Sequence, residues 1–203
     1  DYENESNLLD QLIDDDNNQP IVINSGKGQG RKLFIAHWIN NHIKHSHKSY
    51  KDVIIPIFVT AGTGKLTSNY LIYQIITRIR DIFNFRRKVD LAEEKIRTNF
   101  YYWLDLASRK IQKHNYFDGD LMIIIEGIDN ICDNDRNTET SLKFWLPQKI
   151  PKRVKMIIGL NNESYNVKFL KELKSNFVFL KSNNNSKHKI FNTHSLKNSL
   201  VVI

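Results

Sequence analysis

The sequence predicts an α/β fold in which one parallel sheet of five strands lies between two layers of helices. Five short apolar runs are separated by longer stretches whose apolar residues recur at helical spacing. Unbroken apolar strands of this kind are typical of parallel sheets that are covered on both faces. The first run leads into a glycine-rich turn, and the third run ends in an acidic residue. The five runs are 21–24, 53–59, 121–126, 154–159 and 176–180.

Length and composition are those of one globular domain. The chain has 203 residues, 40% of them hydrophobic, which is enough to bury a core. It contains no apolar run of about 18 residues, and its acidic start does not resemble a signal peptide. The single cysteine, Cys132, excludes an internal disulfide and favours a reducing compartment, so we expect a cytoplasmic protein without a membrane partner.

The net charge of +8 favours acidic partners, such as an acidic protein surface. Lysines and arginines are scattered, and no basic run is interleaved with aromatic residues, so a nucleic-acid partner is not expected. The chain has no initiator methionine and stops inside the apolar run 200–203. We therefore expect a segment of a larger protein whose partners are other proteins.

The first half of the chain predicts three helices around the first two strands. Residues 1–19 carry Leu8, Leu9, Leu12 and Ile13 at helical spacing, which predicts a lead-in helix and a turn. The helix after the glycine-rich turn is expected to end near 40–42. Pro56 favours an edge position for the second strand, and Ser68 is expected to cap the long helix that follows it.

The second half predicts a further amphipathic helix over 90–115 and shorter helices around 138–145 and 164–173. Right-handed crossovers between parallel strands place run 154–159 between runs 21–24 and 121–126. The first and third strands should therefore not pair directly.

The glycine-rich turn lies between a strand and a helix, which is the context of a phosphate-binding loop. The helix N-terminus would offer N–H groups and a positive dipole end to a phosphate. Ser25 replaces the first glycine of the motif, Arg31 replaces its lysine, and Lys32 replaces the Ser or Thr that ligates Mg²⁺. The alternative is a turn without a ligand. The candidate nucleotide-binding residues are Gly26, Lys27, Gly28, Gln29, Gly30, Arg31 and Lys32.

Two other polar segments are weaker candidates. Gly62-Thr63-Gly64-Lys65 keeps a Gly-Lys pair, but Leu66 follows the lysine, so we interpret this loop as a decoy. His42, His45 and His47 lie in a polar linker without nearby Cys or carboxylate ligands, and we interpret them as part of a surface loop.

The third strand ends in Glu126, and Asp129 follows three residues later. A carboxylate at a strand tip can reach a metal ion, and a second acid can orient the attacking water. Glu126 is therefore the candidate metal ligand, and Glu126 and Asp129 are the candidate catalytic pair. The alternative is a strand that ends in a polar turn. The fourth strand is followed by Asn161.

Four segments together resemble the NACHT-type P-loop NTPases of the STAND class, in particular the nephrocystin and NACHT–WD-repeat branch. Their order and spacing carry the resemblance more than any single motif. It implies a P-loop NTPase three-layer sandwich of strand order 5-1-4-3-2, with ATP or GTP and Mg²⁺ as ligands and Asn161 as γ-phosphate sensor. The segments are Pro20–Trp38, Ile54–Val59, Met122–Ile131 and Phe144–Pro151.

The resemblance implies a lead-in segment over 1–19, a NACHT-like domain over 20–193 and the start of a following helical segment over 194–203. It also implies TPR or WD repeats elsewhere in the protein. Two functions compete. The first is a degenerate module, a pseudo-NTPase that serves as a scaffold domain in a ciliary or microtubule-associated assembly. The second is an active ATPase switch that controls oligomerisation. A phosphotransferase using the loop 62–65 is a further alternative.

Overall fold

A computed structural model describes residues 2–15, 18–45, 52–60, 66–89, 92, 95–113, 119–131, 141–164 and 166–180. The loop 61–65, His47 and the segment 194–203 lie outside the described residues. The helices are α1 (Glu3–Asp14), α2 (Arg31–His45), α3 (Ser68–Ile82), α4 (Ile96–Lys113), α5 (Ser141–Trp145) and α6 (Asn166–Glu172). The strands are β1 (Ile21–Ser25), β2 (Val53–Phe58), β3 (Leu121–Glu126), β4 (Val154–Asn161) and β5 (Asn176–Phe179).

The five strands form one sheet of order β2-β3-β4-β1-β5, and every pair is parallel. This is the predicted order 5-1-4-3-2 read from the other edge. Strand β4 separates β1 from β3, as predicted. The α/β class, the parallel sheet and the P-loop NTPase-like strand order are thereby confirmed.

Alternate residues of each strand enter two separate hydrophobic cores, so the sheet is the middle of three layers. Helices α1 and α2 cover one face, and helices α3 to α6 cover the other. The core under α1 and α2 includes Leu9, Ile23, Phe34, Trp38, Ile124 and Ile157. The core under α3 to α6 includes Val22, Ile75, Phe100, Ile123, Trp145 and Ile158.

Several element boundaries differ from the sequence prediction. Helix α2 continues to His45 instead of ending near 40–42, and the contacts of His42 hold this last part in place: its ring stacks on Trp38 and its Nε2 is 2.8 Å from Asp52 Oδ2. Helix α4 begins at Ile96 rather than at 90. Thr67, not Ser68, caps α3: its backbone is extended, and its hydroxyl accepts a hydrogen bond from the Tyr70 N–H.

Strand β2 is an edge strand, as Pro56 predicted, because it pairs with β3 alone. Helix α1 is part of the same core as the sheet. Leu9 is fully buried there, and the Trp38 indole N–H of α2 donates to the Asp10 carboxylate of α1 at 2.9 Å. Within the described residues, no helix has the length and apolar character that a membrane span needs.

Candidate phosphate-binding site

The carboxyl ends of three adjacent strands place polar side chains on one face of the sheet. Ser25 of β1 is level with Asn161 of β4, and Glu126 of β3 is level with Gly159 of β4. All four positions are on the face covered by α2, because they continue the alternation of the core residues Ile23, Ile124 and Ile157. Arg31, the first residue of α2, therefore lies next to all four positions.

The glycine-rich loop links β1 to α2 in a compact turn. Gly28 and Gly30 both have a φ of 77°, a conformation that side chains with a Cβ rarely adopt. The loop is closed by Gln29, whose N–H donates to the Gly26 carbonyl at 3.2 Å. The Gln29 side-chain oxygen in turn accepts from the Gly26 N–H at 2.6 Å. The Gly26 N–H is therefore already paired within the loop.

The first residues of α1 hold this loop from outside. The Tyr2 hydroxyl donates to the Gln29 carbonyl at 2.9 Å, and its ring packs edge-on against Phe34 of α2. A Cβ placed on Gly30 would be 3.0 Å from the same hydroxyl. The loop conformation consequently depends on α1 as well as on its own glycines.

The side chain of Arg31 turns away from the loop and into the protein. It is 8% exposed, and its Nε donates to Glu126 Oε2 at 2.7 Å. Its Nη1 donates to Ser25 Oγ and to Asn161 Oδ1, each at 3.1 Å. Glu126 is equally buried, so the two charges form an ion pair that is shielded from water.

Asp129 completes the network from the short 3₁₀ turn 128–130 after β3. Its Oδ2 accepts from the Asn161 backbone N–H at 2.7 Å and lies 4.0 Å from Arg31 Nη2. Its Oδ1 is buried and has no hydrogen-bond partner among the described residues. Two carboxylates thus surround one guanidinium, and the cluster retains one negative charge in excess.

Two glycines make room for this network. A Cβ on Gly159 would be 1.9 Å from Glu126 Oε2 and 3.1 Å from Arg31 Nε, so the ion pair rests directly on the backbone of β4. Gly127 has a φ of 80°, and a Cβ there would be 2.3 Å from the Val59 carbonyl oxygen. Any side chain at Gly159 would displace the carboxylate.

The loop offers donors to an anion. Helical hydrogen bonding in α2 begins with the Phe34 N–H, which donates to the Gly30 carbonyl at 2.9 Å. Across the residues that the structure describes, the N–H groups of Arg31, Lys32 and Leu33 have no acceptor. Lys32 is exposed, with its ammonium 5.9 Å from the centre of the Phe58 ring.

These residues fit a phosphate group better than they fit Mg²⁺. Open N–H groups at a helix start and the exposed lysines Lys27 and Lys32 suit an anion. A metal ion needs oxygen ligands, but the Oε2 of Glu126 is held by the guanidinium, and Lys32 has no oxygen to offer. The donor set therefore fits a phosphate and does not fit a divalent cation.

The structure brings together the predicted residues Arg31, Glu126, Asp129 and Asn161 beside the glycine-rich loop. Gly26 to Gly30 form that loop, whose Lys27 and Gly28 are exposed. Sequence reasoning missed Gly159 and Tyr2. The sequence could have indicated Gly159, because this residue lies two positions before Asn161 and therefore on the same face of the strand.

A second polar cluster lies at the opposite edge of the sheet, where the strands begin. His42 Nε2 is 2.8 Å from Asp52 Oδ2, and the same carboxylate accepts from the Asp120 N–H at 2.6 Å. Arg153 Nε pairs with Asp120 Oδ1 at 2.6 Å. His42 thus lies within α2 and beside one strand start rather than in a linker. Within the described ranges, no group of three metal-binding residues occurs.

Comparison with known proteins identifies relatives by sequence, although no protein-family profile matches the chain. Nephrocystin-3 of Mus musculus is 26% identical over 146 residues, which are 71% of this chain and 10% of that protein. Nephrocystin-3 of Homo sapiens is 25% identical over 146 residues with the same coverage. The chain thus spans about a tenth of the length of these relatives.

Among solved structures, the ORC1 protein of Aeropyrum pernix, determined in complex with DNA, has a similar fold. The TM-score is 0.51 at 10% sequence identity, and the similar region covers 89% of this chain and 45% of that one. At this identity the likeness concerns the fold alone. The structural comparison supports a P-loop NTPase-like fold, and the sequence comparison gives a weak similarity to nephrocystin-3.

Proposed function

We propose that this chain is a NACHT-type module whose nucleotide machinery is degenerate and which acts as a scaffold domain of a larger repeat protein. The proposal places the module at 20–193, after the lead-in segment 1–19 and before a helical segment that begins in 194–203. The proposed setting, a ciliary or microtubule-associated assembly with protein partners, follows from the resemblance to the nephrocystin branch, and the weak similarity to nephrocystin-3 is compatible with it.

The observation that carries the proposal is the buried ion pair between Arg31 and Glu126. Phosphoryl transfer in P-loop enzymes needs a lysine on the phosphates and a metal ion held by a Ser or Thr and by an acid. In this chain the basic residue and the acid neutralise one another. Lys32 adds an ammonium where the hydroxyl would be, which repels a cation.

The roles proposed for the site follow from this arrangement. Residues 26–32 would hold the phosphates of ATP or GTP through backbone N–H groups and the exposed lysines, with Mg²⁺ weakly held or dispensable. Asn161 would contact the terminal phosphate only if Arg31 released it, because its Oδ1 is bonded to the guanidinium. Without a positioned metal, hydrolysis should be slower by about 10³-fold or more.

A second candidate is the active ATPase switch, with Glu126 as metal ligand and Asp129 orienting water. One observation favours it: both carboxylates and Asn161 lie together at the carboxyl edge beside the loop, where such sheets bind ligands. A third candidate is phosphotransfer at the loop 62–65, which lies outside the described residues.

A phosphate-release assay on the purified chain with ATP, GTP and Mg²⁺ tests the proposal. We expect no turnover above background from the unmodified chain. The double substitution Arg31→Lys, Lys32→Thr should bring measurable Mg²⁺-dependent turnover, because it restores the lysine and the metal-binding hydroxyl. Glu126→Gln in that background should remove it again.

Robust Mg²⁺-dependent turnover by the unmodified chain, abolished by Glu126→Gln, would establish the active switch instead. Turnover that survives Glu126→Gln but is lost in Lys65→Ala would assign the chemistry to the loop 62–65. A matched control is Arg78→Lys, because Arg78 is an arginine of α3 that donates to the Pro56 carbonyl at 2.8 Å, on another helix and away from the glycine-rich loop.

A further inference from the structure

The acidic residues of the site have no counter-charge in the described part of the chain other than Arg31. Glu126 and Asp129 approach each other at the ends of β3 and the 3₁₀ turn, and only the guanidinium contacts both. Buried carboxylates are costly unless a positive charge or several hydrogen-bond donors compensate them. In this structure the compensating positive charge is the Arg31 guanidinium.

The guanidinium occupies the position with hydrogen bonds from Nε and Nη1 and an ion-pair contact from Nη2. Its three nitrogens face Glu126, Ser25, Asn161 and Asp129. These are oxygen groups, the ligand type that a hard divalent cation prefers. Because the ion pair is packed against the backbone of Gly159 and Glu126 Oε2 accepts from Arg31 Nε, a cation that used this oxygen would compete with the guanidinium for it.

We propose that Arg31 is a built-in counter-ion that excludes divalent cations from this acidic site and makes the folded state independent of them. The proposal deepens the proposed function, since it rests on the same ion pair. It adds a consequence for the chain without nucleotide: removal of Arg31 uncovers a cation site made by Glu126, Asp129 and Asn161.

Thermal unfolding in EDTA and in about 10 mM MgCl₂ or MnCl₂ measures how far the stability of the folded state depends on divalent cations. The unmodified chain should unfold at the same temperature in all three solutions. Arg31→Met should unfold at a lower temperature in EDTA and gain at least about 3 °C from either cation, as expected when only the folded state binds the ion. Arg31→Met with Glu126→Gln should show no gain.

Arg153→Met is the matched control, because Arg153 also forms an ion pair with a carboxylate, that of Asp120, but at the opposite edge of the sheet. It should gain no cation-dependent stability. Bound Mn²⁺, counted by electron paramagnetic resonance, should be absent from the unmodified chain and near one per chain in Arg31→Met. If Arg31→Met is unfolded in EDTA, recovery of its far-UV circular dichroism on addition of MgCl₂ supports the proposal.

The proposal is overturned if the unmodified chain gains as much stability from Mg²⁺ as Arg31→Met does. It is also overturned if Arg31→Met neither binds Mn²⁺ nor is stabilised or refolded by a cation. A cation effect on the unmodified chain without phosphate release would overturn this inference alone. Phosphate release by the unmodified chain would overturn the proposed function, so the two failures are distinguishable.

Discussion

The two polar clusters at opposite edges of the sheet differ in burial and in how their charges are shared. At the carboxyl edge, Arg31 and Glu126 are each 8% exposed, and one guanidinium serves two carboxylates. At the edge where the strands begin, Arg153 and Asp120 are 38% and 23% exposed, and Asp52 has a separate partner in His42. Water can therefore solvate the charges of Arg153 and Asp120, but it hardly reaches those of Arg31 and Glu126.

The comparison indicates different roles. The half-buried cluster fastens the starts of β2, β3 and β4 to one another, because Asp52 accepts from the Asp120 N–H and Arg153 Nη2 donates to the Gly119 carbonyl. Such pairs fix register at little net energy. The buried cluster joins the glycine-rich loop to β3 and β4 through Arg31. Because this side chain is buried, water cannot replace its contacts when it is removed.

The largest expected difference between the two clusters is in the free energy of unfolding that is lost when one partner of an ion pair is removed from each. Glu126→Met should lower the free energy of unfolding by about 3–5 kcal/mol, because the buried Arg31 then keeps only Asp129, 4.0 Å away, as a counter-charge. Arg153→Met should lower it by at most about 1 kcal/mol, because that pair is solvated. Urea unfolding of both variants measures the difference. Equal losses would show that burial does not separate the two clusters.

A smaller effect is expected at Gly159. Gly159→Ala should cost about 2–3 kcal/mol, because the new Cβ would sit 1.9 Å from Glu126 Oε2 and force the carboxylate off the guanidinium. Gly28→Ala is the comparison, because a Cβ there meets nothing within 4 Å and adds only backbone strain of about 1 kcal/mol at its φ of 77°. If both variants lose the same stability, the ion pair does not depend on Gly159.

The smallest effect is a pH dependence at the half-buried cluster where the strands begin. Burial alone would raise the pKa of Asp52, but hydrogen bonds from His42 and the Asp120 N–H, with the charges of His42 and Arg153, lower it overall. Its stabilisation is therefore present above the pKa of the unfolded chain and is lost as pH falls through the lower folded pKa.

Asp120 acts in the opposite direction, because burial raises its pKa more than Arg153 and Lys155 lower it. Protonation of Asp120 on acidification favours the folded state and offsets part of the loss. We expect Asp52→Asn to lose about 1 kcal/mol less stability than the unmodified chain between about pH 5 and pH 2. Parallel pH profiles for the two proteins would contradict an ionised, stabilising Asp52.

Much of the fold follows from the sequence because it depends on short-range pattern. The unbroken apolar run 121–126 predicted a strand buried on both faces, and Pro56 predicted an edge strand. The predicted position of β4 between β1 and β3 is confirmed. The boundary of α2 was predicted too early, because polar residues at 40–42 can lie on the exposed side of a helix whose other side is buried.

The candidate site was predictable only as far as its strand ends. Residues that follow parallel strands meet at one edge of a sheet, so Glu126, Asp129 and Asn161 could be expected near the glycine-rich loop. What the sequence could not determine is the direction of Arg31. In the position of a phosphate-binding lysine, its side chain could have faced a ligand, but it faces Glu126, which is 95 residues away in the chain.

Tertiary structure decided this because the alternatives differ in long-range contacts and not in local pattern. The guanidinium is drawn to two buried carboxylates, and space for the pair exists only because β4 has a glycine level with Glu126. The sequence by itself determined the strands and the edge at which the polar residues gather, since periodicity and parallel pairing suffice for these, and the order of the strands followed from the resemblance to a known family. Packing between distant segments determined that the Arg31 side chain pairs with Glu126 of the same chain.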